Sequence, residues 1–401
     1  MFAVPFARLV CAAFVFSSAS ASADTIDIDL HGAIERAHRT ARAAIAARGR
    51  VREAEGRIAG AEVTFTTNPE LEGGAGPRFS GSRPIDAELR LGQELEPWRR
   101  GPRRRLARAE ASLARAEVGA QLRELDLEVA LAFYDAERAD REIAVSTRAV
   151  ELATRGATAA ERRRKAGEIT DLDANLAKAA LGRARAAAAA ATSERTVALG
   201  RLAALIGAQP DDVISVRGEL KPGPLPSGTA ETRADVVALD RERDAAIAEG
   251  EQASAEGRPN AGIWVGYQRE DSATILLAGL RFTLPIWNRA QGPRAVAAAK
   301  ERRVGETRDA TLRLASREIA DAVASYTAAA TSVATFEQEV LPVLDDSDQL
   351  LDKMLDAGQI AVTDLLFARQ ELLASRREYL DRLLALAKAS ALARHAMGVS
   401  P

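Results

Sequence analysis

Two segments of the chain carry the same pattern of residues at a fixed distance, and this repetition constrains the fold more than any local motif. Gly101 and Gly292 each follow a Trp-containing junction and lie 191 residues apart. The same spacing separates three further pairs: Gly167 and Gly358, Asp173 and Asp364, and Gly207 and Gly398. The spacing is one residue shorter for the matched pair Glu128 and Glu318, so the copies must differ by a small insertion and a compensating deletion. Shared spacing over this length predicts two copies of one structural unit.

The two predicted copies have the same internal order. The first repeat covers residues 24–207, the second covers 233–401, and a segment rich in proline and glycine, 208–232, joins them. Each repeat opens with a helical run, at 29–63 and at 233–257. A segment rich in glycine, proline and β-forming residues comes next, and two long helical runs complete each repeat.

The N-terminal residues 1–23 have the features of a secretory signal peptide. An apolar segment, LVCAAFVF, precedes an A-x-A cleavage pattern at 21–23. We therefore expect the mature protein to be exported. The single cysteine, Cys11, lies in the apolar segment and lacks the small preceding residue that lipid attachment requires, so we expect no attached lipid. Without that segment, the chain offers neither a disulfide nor a thiolate metal ligand.

The long helical runs are expected to form an extended bundle. The chain is 47% hydrophobic but only 4% aromatic, a composition typical of long helices with coiled-coil-like cores. A heptad stripe consists of Leu106, Leu113, Ala120, Leu127 and Tyr134, with Ala109, Ala116 and Ala130 at the companion position. A helix from Pro102 to Glu161 would be about 90 Å long, which is too long for a compact globule.

The segments between helices predict two β-hairpins, at about 68–95 and about 259–285. In the stretch 84–95 apolar and charged residues alternate, which gives a strand one apolar and one charged face: Ile85, Ala87, Leu89, Leu91 and Leu95 against Asp86, Glu88, Arg90 and Glu94. Strands of about 9 to 12 residues have the length that a tilted strand needs to cross a bilayer. A soluble capping sheet is the alternative that this pattern leaves open.

Four strands from one chain cannot close a membrane barrel. Open sheet edges in lipid would leave backbone groups without hydrogen-bond partners. Three chains that each contribute four strands would supply twelve. The residues thus predict a mainly α fold with a small β part, assembled from several chains.

Particular motifs make the chain resemble the TolC family of outer-membrane efflux proteins. These are NPEL at Asn68, QELEPWRRGPRR and LPIWNRAQG at the hairpin exits, and LAALIG at the end of the first repeat. The NPEL and LPIWNRAQG motifs are most similar to the cobalt-zinc-cadmium branch, whose members serve heavy-metal efflux pumps. The chain departs from many relatives in lacking a lipidated N-terminal cysteine and in its Arg-rich first exit loop.

The resemblance implies a two-repeat TolC-like fold, with long α-barrel helices and four β-strands per chain in a shared 12-stranded trimeric barrel. It implies a homotrimer in the outer membrane, in contact with its lipid, whose helices extend into the periplasm. Such a protein is a passive exit duct. Its expected partners are a periplasmic membrane-fusion adaptor and an inner-membrane RND-type transporter.

The candidate functional residues lie at the ends of the predicted helices. Gly167 and Gly358 each separate two helical runs, where glycine adopts the left-handed conformation that ends a helix. Thr170 and Asp173 have the spacing of a capping box. The resemblance implies that these turns form a periplasmic tip that contacts the adaptor, with Asp364 at a gate position and Phe367 where relatives often have a second acid. A plain helix-turn-helix role is the alternative reading.

A second set of candidate residues marks the strand-to-helix junctions: Trp98, Gly101, Trp287, Asn288 and Gly292. Both junctions pass through Gly-Pro-Arg into an Ala-rich helix. We expect each to be the point where a membrane strand enters a periplasmic helix.

The sequence contains no recognisable arrangement for catalysis, a cofactor or a metal. His31, His38 and His395 are too scattered to form a metal site, and a net charge of −2 provides no general attraction to nucleic acid. We therefore expect neither an enzyme nor a nucleic-acid partner. A periplasmic coiled-coil adaptor or scaffold without a pore is the alternative to the duct, although it would show one helical hairpin rather than two. The transported substrate is not encoded in any motif.

Overall fold

The computed structural model describes residues 25–79, 85–270, 273–357 and 359–401. The predicted signal peptide and Gly358 lie outside these described residues. Within them the chain is mainly helical with a small β part, which confirms the predicted fold class.

Eight α-helices are found in the described residues. Those of the first half are α1 (Leu30–Thr40), α2 (Arg42–Glu62), α3 (Arg100–Lys165) and α4 (Asp171–Leu205). Those of the second half are α5 (Ala234–Glu256), α6 (Gln291–Thr335), α7 (Leu341–Asp356) and α8 (Val362–Ala396). α4 and α8 both contain 35 residues, and their first residues lie 191 positions apart.

A π turn joins α6 to α7. It covers Phe336–Val340, and the backbone N–H of Leu341 bonds to the carbonyl of Phe336. A π turn closes over one more residue than an α-helical turn. It therefore accounts for an extra residue in the second half, after Glu318, where the spacing between the two copies slips.

The opening helical run is broken at Ala41, so the prediction of one run over 29–63 is wrong. Ala41 is extended, with φ −61° and ψ 135°. The Thr40 hydroxyl donates to the carbonyl of Ile206 at 2.6 Å. Gly207 follows with φ +62°, and a Cβ there would lie 2.9 Å from Thr40 Oγ1. The break comes from this contact between α1 and the end of α4, which no local pattern encodes.

The α2 helix packs against α3 through small side chains. In this part of α3 the buried residues are Ala107, Ala111 and Ala114, whereas Leu106 and Leu113 of the predicted stripe are half-buried. The line of contact between the two helices is therefore displaced by one residue from the predicted heptad stripe, because alanine allows the helices to approach more closely. Further along α3 the predicted positions Leu127, Ala130 and Tyr134 are buried.

Two separate sheets complete the fold. A parallel pair joins β1 (Thr25–Ile28) to β4 (Val213–Val216), so part of the predicted linker is a strand. The second sheet is antiparallel, in the order β2 (Glu70–Pro77), β3 (Ile85–Leu95), β5 (Asn260–Glu270) and β6 (Ala273–Thr283). The outer edges of β2 and β6 have no partner strand within the described chain.

The largest core lies near the middle of the long helices, beside the parallel pair. It surrounds Phe133 of α3 and includes Leu202, Ile206 and Leu220, all fully buried. The core therefore fixes α1, α3, α4 and α8 midway between the antiparallel sheet and the helix tips. Among the described helices, none has an apolar stretch long enough to cross a membrane.

Candidate functional site

The turn between α3 and α4 has the geometry of a helix end with a left-handed glycine. Gly167 has φ +78°, and the backbone N–H of Glu168 donates to the carbonyl of Arg163 at 2.9 Å. Thr170 then caps α4. Its Oγ1 accepts from the Asp173 N–H at 3.2 Å, and its own N–H donates to the Asp173 carboxylate at 3.2 Å. This is the predicted capping box, which satisfies two backbone donors at the helix start.

A network of charged side chains surrounds this first tip. Arg164 bonds to Glu161 at 2.8 Å and to Asp171 at 3.2 Å, and Lys178 lies 3.2 Å from Glu161. Hydrogen bonds from Arg164 and Lys178 lower the pKa of Glu161 to about 2. The carboxylate therefore stays charged throughout the neutral pH range and ties α3 to α4.

The second tip, between α7 and α8, has the same hydrogen bond but a different cap. The N–H of Gln359 donates to the carbonyl of Met354 at 2.9 Å, which corresponds to the bond from Glu168 to Arg163 in the first tip. At the cap position, Ala361 replaces threonine and provides no side-chain hydrogen bond. Asp364 is exposed in the first turn of α8. Phe367, one turn further on, is 74% exposed.

The two tips lie side by side. Arg163 of the first tip donates to the carbonyl of Ile360 in the second at 3.3 Å. An apolar cluster of Ala160, Ala177 and Val362 joins α3, α4 and α8 just behind the turns. The structure thus brings the sequence-predicted residues 167, 170, 173 and 364 to one end of the molecule.

Sequence reasoning missed a buried arginine that connects the two helical pairs. Arg369 of α8 donates to the backbone carbonyl of Leu152 in α3 at 2.8 Å and to Asp352 of α7 at 2.9 Å. It is almost fully buried, and burial lowers its pKa. Gly156 lies beside the guanidinium, and a Cβ there would be 3.7 Å from it, an ordinary van der Waals contact. No periodic signal marks this residue, because its partners come from distant parts of the chain.

Arginines hold the first strand-to-helix junction. Arg103 donates to the carbonyl of Val63 at 2.9 Å and forms an ion pair with Glu96. Arg99 and Arg100 each approach the last carbonyl of a helix, at Glu256 of α5 and Glu62 of α2, both at 3.4 Å. Arginine at a helix C-terminus bonds free carbonyls and complements the helix dipole. The Arg-rich loop therefore caps the helices that run toward the sheet.

Amide side chains hold the second junction instead. Asn288 accepts from the N–H of Ala290 at 3.1 Å, and Gln291 donates to the carbonyl of Trp287 at 2.8 Å. Ala290 has φ +58°, an unusual conformation for a residue with a side chain, and it is buried here. Trp98 and Trp287 are 51% and 87% exposed. Gly101 and Gly292 lie within the first turns of α3 and α6, with no backbone close to either.

The antiparallel sheet has two chemically different faces. Leu71, Leu91 and Val265 follow one another across three strands on the apolar face. That face is exposed, and Leu276 on it is 78% accessible. The opposite face carries charged and polar residues, which are Glu70, Glu72, Asp86, Glu88, Arg90, Glu94, Gln268, Glu270 and Arg281. On that face Arg90 lies over the ring of Trp264, 4.7 Å from its centroid.

The histidines do not come together. His31 pairs with Glu35 at 3.3 Å, His38 with Asp126 at 2.5 Å and His395 with Glu124 at 3.5 Å. Within the part of the chain that the structure describes, there is no group of three or more side chains able to hold a metal ion.

The architecture is that of a class of proteins in which the strands of a small sheet with an exposed apolar face are continued by long helices. The longest helix here contains 66 residues. Solved structures of membrane channels have the same architecture. The TM-score is 0.75 with CusC, at 18% identity over 95% of this chain and 96% of that one. It is 0.72 with the outer membrane channel MtrE of Neisseria gonorrhoeae, at 18% identity over 100% and 98% of the two chains. The fold is therefore that of the TolC-like channels.

Sequence comparison finds similar proteins among outer-membrane efflux and metal-resistance proteins. The family model described as outer membrane efflux protein matches residues 43–208. It is 28% identical to Protein CyaE of Bordetella pertussis over 69% of this chain, and the match spans 62% of CyaE. It is 26% identical to the cobalt-zinc-cadmium resistance protein CzcC of Cupriavidus metallidurans, over 79% of this chain and 77% of CzcC.

Proposed function

We propose that this protein is the outer-membrane exit duct of a tripartite efflux pump. The observation that carries the proposal is the combination, in one chain, of an apolar sheet face left exposed to the surroundings and helices far longer than the sheet. A soluble protein rarely exposes a contiguous apolar patch of this kind. A bilayer around the sheet would cover that face, while the helices extend into the aqueous periplasm.

The proposal requires three copies of the chain. The free edges of β2 and β6 would pair between neighbouring chains to give a closed 12-stranded barrel, since lipid does not tolerate unpaired edges. The apolar face would then contact outer-membrane lipid, and the charged face would line water. Trp98 and Trp287, both exposed at the same end of the sheet, match the aromatic girdles found where membrane barrels meet water.

The helices would form the periplasmic tube. Its tip, which includes Gly167, Thr170, Asp173, Gly358 and Asp364, is the proposed contact for a membrane-fusion adaptor. Asp364 is exposed in the first turn of its helix and is the proposed gate residue. We assign no catalytic residue. Transport through the duct is passive, and an inner-membrane RND-type transporter supplies the energy.

Heavy-metal cations are the proposed substrate. Support comes from the similarity to CzcC, which is a cobalt-zinc-cadmium resistance protein by name. The charged face of the sheet agrees with a cationic substrate, because acidic residues outnumber basic ones there. In a closed barrel these carboxylates would attract cations into the lumen.

A deletion strain tests both the duct and its substrate. Loss of the gene should increase sensitivity to cobalt, zinc and cadmium, and the wild-type gene should restore resistance. Sensitivity to drugs or loss of an exported protein, with unchanged metal resistance, would assign a different substrate. A protein that fractionates as a soluble periplasmic species would instead support an adaptor or scaffold.

A further inference from the structure

A groove of about 650 Å³ lies in the helical layer, next to the sheet. It is formed by the first turns of α3 and α6 and the last turns of α5. Small residues line it, among them Gly101, Gly250, Ala297 and Ala298. Trp98 stands at its end nearest the sheet, and three arginines, Arg105, Arg258 and Arg294, line it.

The groove carries positive charge that the protein leaves largely unpaired. Arg105 is neutralised by Glu251 at 2.6 Å, and Glu301 is paired with Arg243 at 3.5 Å. Arg258 and Arg294 are exposed and form no ion pair among the described residues. The Arg258 guanidinium lies 6.0 Å from the centre of the Trp98 ring, so the indole and a free cation face the same space.

The groove begins where the apolar face of the sheet ends. Leu95, the last residue of β3, lies on that face, and Pro97, two residues further on, lines the groove. Arg103 bonds to backbone carbonyls at the end of α2, whereas Arg105, about 200° further around α3, pairs with Glu251 of α5. The groove therefore lies on the α5 side of α3, next to the end of the apolar sheet face.

We propose that this groove binds the phosphate-bearing headgroup of an anionic phospholipid in the outer membrane. The inference rests on the proposed function, because it needs the apolar sheet face to lie in a bilayer. The acyl chains would run along that face, Trp98 would sit at the level of the headgroups, and Arg258 and Arg294 would bind the phosphate. The groove lies within one protomer, so a trimer would carry three such sites.

Fluorescence quenching tests the site directly. A variant with Trp264→Phe and Trp287→Phe keeps Trp98 as its single tryptophan. In vesicles, brominated phosphatidylglycerol should quench Trp98 more strongly than brominated phosphatidylcholine at the same mole fraction. Adding Arg258→Ala and Arg294→Ala should weaken this preference about fivefold per arginine. The matched control, Arg313→Ala with Arg317→Ala on the distant part of α6, should leave it unchanged.

A second measurement keeps the tryptophans intact. Native mass spectrometry of the otherwise wild-type trimer should show retained phosphatidylglycerol, which the Arg258→Ala/Arg294→Ala variant loses and the control variant keeps. Equal quenching by both lipids, equal retention in both double variants, or displacement of the lipid by inorganic phosphate would overturn the proposal. So would groove variants that keep lipid but lose adaptor cross-linking. Failure of the wild-type protein to insert into membranes would contradict the proposed duct instead.

Discussion

At the scale of single residues, Thr170 and its counterpart Ala361 show how one side chain distinguishes two similar turns. Both precede a 35-residue helix, and both follow a helix end with the same backbone hydrogen bond. Only Thr170 provides a side-chain cap. The first tip is therefore fixed by its own sequence, whereas the start of α8 depends on the buried Val362 and on the neighbouring α3.

Removal of the cap should loosen the start of α4. We expect Thr170→Ala to cost about 1 kcal/mol locally, because the N–H of Asp173 loses its partner. Amide hydrogen exchange should increase at residues 171–174, with little change in the rest of the molecule. The control is Thr192→Ala, since that hydroxyl bonds within a helix, to the carbonyl of Ala188 at 3.0 Å. Equal exchange in both variants would show that the cap is not needed.

Arg369 should hold α7 and α8 against α3. The substitution Arg369→Met keeps the bulk of the side chain but removes the bonds to Leu152 and Asp352, which we expect to cost about 1–3 kcal/mol. Exchange in α7 should rise and the melting temperature should fall. Arg376→Met is the matched control, because Arg376 pairs with Asp345 and Asp348 at a more exposed position. Similar losses in the two variants would contradict a special role for the buried arginine.

At the scale of elements, the sequence predicts regular segments well and distant pairings poorly. The hairpin strands and the long helices follow from alternation, heptads and helix-ending residues, which are all local. The β1–β4 pair joins Thr25 to Val213, and no local pattern records a partner so far away. The break at Ala41 and the displaced line of contact at Ala107 likewise depend on which helix packs alongside.

The turn at Gly167 allows a test of the tip that separates conformation from packing. A Cβ at Gly167 would meet no atom within 4 Å, so Gly167→Val should act only through strain of the left-handed backbone, about 1 kcal/mol or more. We expect normal trimer yield but reduced adaptor cross-linking and efflux. Gly182→Val, in the interior of α4 and also with open space, is the control. Loss of the trimer together with efflux would instead indicate a purely structural turn.

A change of charge should impair membrane assembly on the apolar face of the sheet but should be tolerated on the charged face. Leu89→Arg or Val265→Arg places a charge on the apolar face, which costs about 2–4 kcal/mol near the middle of a bilayer. Both variants should accumulate poorly in the outer membrane. Arg90→Ala, on the charged face, should be tolerated even though it removes the stacking on Trp264. Equal membrane levels for the three variants would reverse the assignment of the faces.

At the scale of the whole molecule, the strand directions determine how chains can join. The four strands of the sheet are antiparallel throughout, so β2 and β6 run in opposite directions. An edge-to-edge contact of β6 with β2 of the next chain therefore continues the antiparallel order. Closure of such a ring removes every free edge, and the long helices attached to each strand pair are then brought into one tube.

Engineered cysteines can test this joint, because the only native cysteine, Cys11, lies in the predicted signal peptide. A variant with Ala75→Cys on β2 and Ala278→Cys on β6, which both lie on the apolar face, should give dimers and trimers on a denaturing gel after treatment with a short bis-maleimide. The control, Glu88→Cys with Gln268→Cys, places both thiols on paired positions of the central strands β3 and β5. It should cross-link only within a chain and run as a monomer. Monomers from both variants, in a sample whose native mass is that of a trimer, would mean that the chains associate through their helices and not through the sheet edges.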